Sequence, residues 1–250
     1  NYIYSASRDK TIKYWEIASG NCKRTLTGHD EWVRSVTLNE KGNLLASAAD
    51  DETIIIWQSE NGNNLNELRG EHDNKIEKII FLKNPKSKEN VISSDYLSSY
   101  SNKLLNDNTG ENKEENKGEG EVTEEEKINE KFQAKVKFLK EKSALMNKEF
   151  LLAASRDKKI SLWDVIGGVC IKVFIGHDNW VRDICEHPNG KYFVSCSDDK
   201  SIRLWDFRTG NSAKKLIEAH DRFVTCISMS PKCKMMASGS NLEIKVWDCS

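Results

Sequence analysis

The residues that could carry out chemistry in this chain are a serine, a histidine and an aspartate that occur together repeatedly, with a tryptophan nearby. Two such groups are His29, Ser47, Asp51 and Trp57, and His177, Ser195, Asp199 and Trp205. In a hydrolase triad the aspartate orients the histidine, which takes the proton of a nucleophilic serine. That chemistry needs one activated serine in one pocket with an oxyanion hole, whereas this group recurs along the chain. The sequence therefore predicts no catalytic residue, no enzyme and no cofactor.

The tryptophans of these groups mark a repeat. Their spacing is 42 residues, apart from one gap of 106, and the repeated residues are Trp15, Trp57, Trp163, Trp205 and Trp247. A Gly-His pair lies about three strands before the tryptophan, and Trp-Asp closes three of the units. A period near 42 residues with these markers is the WD40 signature, in which each unit folds as a four-stranded blade of a β-propeller. The predicted fold class is therefore all-β.

Each predicted unit contains four short strands, a to d, rich in β-branched residues and bounded by turn residues. In the clearest unit the predicted strands cover Val181–Glu186, Tyr192–Ser197, Ser201–Asp206 and Ala213–Ile217. Asn189-Gly190 predicts a hairpin turn between strands a and b. Five units, I to V, are expected in all.

The two end units are predicted to be incomplete, because unit I lacks strand a and unit V lacks strand d. We therefore expect a C-terminal fragment of a seven-blade ring, with a closed five-blade ring as the alternative. The predicted organisation is 1–83 for units I, II and the start of III, an insertion over 84–147, and 148–250 for the remainder.

The insertion has a composition unlike that of the repeats. From Glu111 to Glu130 it carries nine Glu and three Lys, and we expect disorder where so little apolar surface can be buried. A capping box at Thr123–Glu126 is followed by apolar residues at helical spacing. This pattern predicts a helix over 124–145, either as a nascent helix in a flexible loop or as a docking helix.

Composition excludes several classes of function. The formal charge is −1, so the basic surface of a nucleic-acid-binding protein is not expected. No apolar run approaches the ~18 residues of a membrane span. The seven cysteines include no Cys-x-x-Cys pair and do not cluster with histidines, so we predict reduced thiols and no metal site.

In the WD40 family, which this chain resembles, the recurring serine, histidine, aspartate and tryptophan form a structural hydrogen-bond network. It pins the turn between strands b and c to the loop between strands d and a. Two units depart from the pattern, since Ala153 stands at the serine position of unit III and Asn241 at the aspartate position of unit V. We expect unit III to be the weakest, because it also has the irregular Gly70-Glu71-His72.

A candidate binding surface combines tryptophan and arginine near the same turns. Its residues are Arg8, Trp32, Arg156, Trp180 and Arg182. Exposed tryptophan beside arginine is typical of interface hot spots. The alternative is that the aromatic residues pack between blades and the arginines are ordinary solvated charges.

Several segments resemble the lissencephaly protein family beyond the general WD40 pattern. They are Ser5–Lys13, Thr27–Arg34, Ser155–Lys158, Gly176–Arg182 and Asp198–Asp206. The resemblance implies a noncatalytic scaffold with a seven-blade propeller that binds the motor domain of cytoplasmic dynein and acts in microtubule-based transport and nuclear positioning. Carried over by motif, the dynein-binding positions are Arg8, Arg156 and Trp180, with Trp32 and Arg182 as neighbours.

The same resemblance implies further partners, namely dynein adaptor proteins and the catalytic subunits of an acetylhydrolase. It implies a cytoplasmic, cytoskeletal and centrosomal location, and a homodimer for the full-length family members but not for this fragment. An alternative function is that of a substrate receptor of a cullin-4-type ubiquitin ligase, because Trp205-Asp206-Phe207-Arg208 fits a short Trp-Asp-x-Arg box.

Overall fold

The computed structural model describes residues 2–92 and 148–249. Within these ranges the chain forms eighteen β-strands and one α-helix, and the strands make five antiparallel sheets, one for each predicted unit. Sheets II, III and IV have four strands each, whereas sheets I and V have three. The all-β fold with five blade units, of which the first and last are incomplete, is therefore confirmed. The helix predicted over 124–145 lies outside the described residues.

The strands follow one another in chain order within every sheet. Sheet I contains β1 (Tyr2–Ala6), β2 (Ile12–Glu16) and β3 (Cys22–Leu26), and sheet II contains β4 (Val33–Leu38), β5 (Leu44–Ala49), β6 (Ile54–Gln58) and β7 (Asn64–Leu68). Sheet III contains β8 (Ile76–Phe81), β9 (Phe150–Ser155), β10 (Lys159–Asp164) and β11 (Val169–Ile175). Sheet IV contains β12 (Val181–Glu186), β13 (Tyr192–Ser197), β14 (Ile202–Asp206) and β15 (Ser212–Leu216), and sheet V contains β16 (Val224–Met229), β17 (Met235–Ser240) and β18 (Ile244–Asp248). The four strands predicted for unit IV agree with the structure to within one residue.

The core lies between neighbouring sheets, which pack face to face. Every residue of β5 and β9 is buried, because a sheet covers each face of these strands, and their sequences accordingly read as apolar or small residues without alternation. Between sheets III and IV, the Phe174 ring lies 4.8 Å from the Phe193 ring and 5.9 Å from the Trp205 ring, both edge-on. Such aromatic contacts add to the free energy gained by burying apolar area.

The first strands of sheets II to V lie side by side around a shared cavity. Each of these strands has a β-bulge at its second residue, and the bulged residues are Arg34, Glu77, Arg182 and Thr225. A bulge adds one residue to a strand and redirects its side chain. All four bulged residues line the cavity, whose volume is about 520 Å³ and to which sheet I contributes Ala6. The repeated bulge therefore aims one side chain per sheet at a common centre.

Helix α1 (Pro85–Ile92) lies within the predicted insertion, and its described residues pack on the propeller. Asn84 caps the helix by accepting the backbone N–H of Lys86, and Pro85 occupies the first helical position. On the sheet IV side, the Glu186 carboxylate accepts the backbone N–H groups of Lys83 and Asn84, at 3.1 to 3.3 Å. The packed fold therefore continues to the end of α1.

The contact between α1 and sheet IV also explains a glycine. Gly190, in the predicted hairpin turn, has a φ of +73°, and an added Cβ would lie 2.4 Å from the Cβ of Lys86. Its carbonyl oxygen accepts a hydrogen bond from Asn90, and Val91 is fully buried. Among the described residues, no helix has the length and apolar character needed to cross a membrane.

Candidate protein-interaction site

In sheets II and IV, the four recurring residues form a continuous hydrogen-bond chain. The distances from the histidine Nδ1 to the aspartate are 2.8 and 2.7 Å, those from Nε2 to the serine Oγ are 2.8 and 2.7 Å, and both indole N–H groups reach the serine at 2.8 Å. The residues are His29, Asp51, Ser47 and Trp57, and His177, Asp199, Ser195 and Trp205. An ionised carboxylate can only accept, so Nδ1 carries the proton that is donated to the aspartate; when the imidazole is neutral, Nε2 then accepts the serine proton while the serine oxygen accepts the indole N–H. The serine oxygens are fully buried.

Unit III has a complete network, so the expectation that Ala153 leaves it defective is wrong. His72 contacts Asp157 at 2.6 Å and the hydroxyl of Ser161 at 2.6 Å, and Trp163 donates to the same hydroxyl at 2.7 Å. Ala153 and Ser161 are direct partners across the β9–β10 pair. Side chains at such positions lie close together on one face of the sheet. The hydroxyl is therefore supplied from the neighbouring strand at nearly the same point in space.

Unit V corrects a second expectation, because the acidic partner of its histidine is Glu243 and not Asn241. His220 contacts Glu243 at 2.9 Å and Ser238 at 2.7 Å. The turn is one residue shorter than in the other units, and the longer glutamate side chain reaches the histidine from the start of β18. In unit I, the described link of the network is the one from Trp15 to Ser5, at 2.8 Å.

The electrostatics of the sheet IV network favour the neutral histidine. Burial lowers the pKa of His177 below its ordinary value, against the opposing effect of Asp199. Burial alone would raise the pKa of Asp199, but hydrogen bonds and the charge interaction with His177, together with Ser201, hold that pKa well below its usual range. At neutral pH, a neutral His177 imidazole therefore faces an ionised Asp199 carboxylate.

We expect a mild acid shift to cancel the stability that His177 contributes. The unfolded imidazole takes up a proton near pH ~6.5, whereas the folded one stays neutral to lower pH, so the stability from this group is present above ~6.5 and declines below it. The difference in unfolding free energy between the wild type and His177→Gln, measured by urea titration, should shrink between about pH 7.5 and 5.5. An equal difference at both values, or an NMR titration of His177 above ~6.5, would contradict this assignment.

Two tryptophans lie among arginines at the ends of the inner strands. The guanidinium of Arg8 lies 4.7 Å from the Trp32 ring centre, and those of Arg156 and Arg182 lie 4.3 and 4.9 Å from the Trp180 ring centre. Arg8 and Arg156 come from the b–c turn of the preceding unit, so each stack joins two units. At these distances, cation–π attraction holds the planar guanidinium on the ring. The structure thus brings all five predicted binding residues into two similar stacks.

These stacks are partly exposed and partly neutralised. Trp32 is 38% exposed, and Phe223, at the equivalent position of unit V, is 45% exposed. The arginines differ from ordinary solvated charges, because Arg182 makes two hydrogen bonds to Asp198, at 2.8 and 2.7 Å. Arg34 pairs in the same way with Asp50. Bidentate pairs of this kind fix the orientation of the guanidinium.

Sequence reasoning missed the residues that join the two stacks. Lys75 and Glu77 of unit III occupy the places that tryptophan and arginine hold in units II and IV. Lys75 lies 5.8 Å from the Trp32 ring centre and binds Asp50 at 2.8 Å, while Glu77 contacts arginines of both neighbouring units. A signal was present, because the bulge residue changes from arginine to glutamate and back to arginine along units II to IV.

The Trp205-Asp206-Phe207-Arg208 box serves the turn that follows β14. Trp205 and Phe207 are buried, and the Asp206 carboxylate accepts the backbone N–H groups of Arg208 and Thr209, at 2.8 and 3.1 Å. This Asx-type turn accounts for the box without a partner. Within residues 2–92 and 148–249, no group of His, Cys, Asp and Glu side chains has the arrangement of a metal site.

Comparison with known proteins gives a consistent result. The model of the WD domain, G-beta repeat (WD40), matches residues 20–58, 168–206 and 211–248. The nuclear distribution protein PAC1 of Arthroderma otae is 33% identical over 239 residues, which is 92% of this chain and 41% of that protein. PAC1-2 of Uncinocarpus reesii is 34% identical over 232 residues, with 92% and 41% covered, and nudF 1 of Talaromyces marneffei is 35% identical over 232 residues, with 92% and 42% covered.

The chain spans about two fifths of the length of the curated relatives it matches. Their names mention nuclear distribution and no ubiquitin-ligase subunit, so they lend the alternative function no support. The similarity extends across both sides of the 93–147 segment, since it covers 92% of the chain. The repeat, the blade networks and these relatives show that the chain carries WD40 repeats and is similar to the PAC1 and nudF nuclear distribution proteins, which are homologues of the lissencephaly protein.

Proposed function

We propose that this chain is a noncatalytic scaffold that binds the motor domain of cytoplasmic dynein through the face that carries the two Arg–Trp stacks. The observation that carries the proposal is the repetition of the stack in units II and IV, with partly exposed tryptophan in each. Tryptophan and arginine dominate interface hot spots. Dynein is named because the resemblance to the lissencephaly family implies dynein contacts at these positions.

The noncatalytic part of the proposal rests on the state of the serines. Their hydroxyls lie inside the blades, and each already accepts one hydrogen bond and donates another. A serine nucleophile must be reached by substrate beside an oxyanion hole, and a substrate could reach these hydroxyls only if the blade opened. We further propose that the chain works in the cytoplasm, on microtubule-based transport and nuclear distribution, with dynein adaptors and acetylhydrolase subunits as further partners by the same resemblance.

The proposal predicts that Arg156→Ala combined with Trp180→Ala weakens binding to a purified dynein motor domain by about thirtyfold. The two side chains stack on each other, so their losses should not add. Binding is measured by titration against the immobilised motor domain. Undiminished affinity in a folded double variant would reject the site.

Two single variants sharpen this test. Arg8→Ala removes a guanidinium whose described contact is the Trp32 ring, so the loss leaves no carboxylate unpaired. It should weaken binding without lowering the melting temperature. Arg208→Ala is the matched control, because Arg208 is exposed in the turn after β14, at the end of sheet IV opposite the stacks. This control should bind like the wild type.

A further inference from the structure

Glu77 is the point at which the two Arg–Trp stacks meet. Its carboxylate contacts Arg156, the Nη1 of Arg182 at 3.3 Å and the Nη1 of Arg34 at 3.7 Å. These three arginines come from sheets III, IV and II. The Glu77 side chain is only 11% exposed, whereas the arginines are 16 to 23% exposed. Glu77 therefore lies beneath the guanidinium groups that face solvent.

The three arginines that contact Glu77 are largely buried, and each also lies close to one of the two tryptophan rings. Arg156 and Arg182 lie on the Trp180 ring, and Arg34 lies 5.9 Å from the Trp32 ring centre. Arg34 and Arg182 have second carboxylates, in Asp50 and Asp198. For Arg156, the carboxylate among the described contacts is that of Glu77. Without Glu77, three like charges would remain close together and repel one another.

The charge of this surface indicates the chemistry of its partner. Counting the residues of the stacks and their ion pairs gives five cationic groups and three carboxylates, namely Arg8, Arg34, Lys75, Arg156 and Arg182, and Asp50, Glu77 and Asp198. The surplus is positive, although the whole chain has a formal charge of −1. A surface of this kind attracts carboxylate-bearing segments.

We propose that Glu77 is a positioning residue of the binding surface, which holds Arg34, Arg156 and Arg182 in the orientations that receive an acidic segment of the partner. The inference rests on the proposed function and adds the partner chemistry and the residue that organises the site. An arginine side chain has many rotamers, and fixing them before binding lowers the entropic cost of forming the complex. The bulge in β8 is what aims Glu77 at the arginines of both neighbouring sheets.

The test is Glu77→Gln, which keeps the size of the side chain and removes its charge. We expect the dissociation rate from the immobilised motor domain to rise about tenfold, because the arginines lose their common anchor. The association rate should not fall, since the surface becomes more positive and attracts an acidic partner more strongly. A loss of fold alone would lower the active fraction and leave the dissociation rate of the remainder unchanged.

The matched control is Asp73→Asn. Asp73 lies in the same unit, its side chain is 77% exposed, and it pairs with Lys159 at 3.7 Å. The control removes the same charge without touching the arginines, so its dissociation rate should equal that of the wild type. Slower dissociation in Glu77→Gln, or rates that match the control, would overturn the proposal. If Glu77→Gln does not fold, Glu77→Asp retains the charge on a shorter side chain and should still raise the dissociation rate.

A second readout needs no partner. In the wild type, the Nε–H NMR signals of Arg156 and Arg182 should be sharp, because both groups donate to carboxylates. Glu77→Gln should broaden the Arg156 signal and leave the Arg182 signal, which also depends on Asp198, less changed. An unaltered Arg156 signal would overturn the positioning role, whether or not the wild type binds the dynein motor domain. Failure of the wild type to bind the motor domain would defeat only the proposed function.

Discussion

Replacing Trp205 with alanine should lower the unfolding free energy by about 3 to 5 kcal/mol, the usual cost of deleting a buried aromatic side chain. Trp205 is 1% exposed and packs with Phe174 and Phe193. Its loss would open a cavity between sheets III and IV and would also leave Ser195 without its indole donor. Urea unfolding followed by circular dichroism measures the change.

Two further variants separate packing from hydrogen bonding. Trp205→Phe keeps much of the ring volume and removes the N–H group, so about 1 to 3 kcal/mol of the loss should remain. Trp247→Ala is the matched control, because Trp247 makes the same 2.8 Å bond to its serine but is only partly buried in sheet V. Its cost should be clearly smaller. Equal costs for the two alanine variants would show that burial between sheets is not what makes Trp205 important.

Removing the hydroxyl of Ser161 should lower the unfolding free energy by about 2 to 4 kcal/mol, because two buried polar groups lose their partner. These are Nε2 of His72 and the indole N–H of Trp163. The double variant Ser161→Ala with Ala153→Ser should recover most of the loss, since it returns the hydroxyl to the strand that carries it in units II and IV. Stability is measured by the same urea titration.

Ser195→Ala in sheet IV is the reference for this experiment, because Ser195 holds the ordinary position and bonds to His177 and Trp205 in the same way. Its cost should match that of Ser161→Ala. If Ala153→Ser fails to restore stability, the hydroxyl cannot reach the network from β9, and the equivalence of the two positions is wrong.

The sequence was sufficient for the strands because the tryptophan markers, together with the histidines of units II to V, fix the register of the units. It was insufficient for units III and V, where Ala153 and Asn241 stand at the expected positions. A comparison of repeats aligns residues by position in the sequence, whereas a hydrogen bond depends on where the donor and acceptor atoms lie in space. Ser161 reaches that place from the opposite strand, and Glu243 reaches it through a longer side chain. The network was therefore predictable as a type, but its members in units III and V were not.

Helix α1 and Glu77 were missed for a different reason. An eight-residue polar helix is marginal alone, and its contacts with Glu186 and Gly190 are made more than ninety residues away in sequence. Glu77 likewise acquires its role from arginines on three sheets. The binding residues themselves were identifiable by composition and family resemblance, but the pairing of Arg8 with Trp32 and of Arg156 with Trp180 depends on how neighbouring units meet.

Strand β8 begins next to Lys75, beside the Trp32 stack, and ends at Phe81, which pairs with Leu151 near the start of β9 and lies four residues before α1. Six extended residues span roughly 20 Å, so the chain departs and re-enters at the far side of the blade from the arginines. The chain therefore offers a position, away from the arginines, at which another domain could be inserted. A fluorescent domain joined directly after Ile92 or directly before Lys148 would attach at the side of the blade opposite the arginines, which makes this junction suited to tracking the protein in cells.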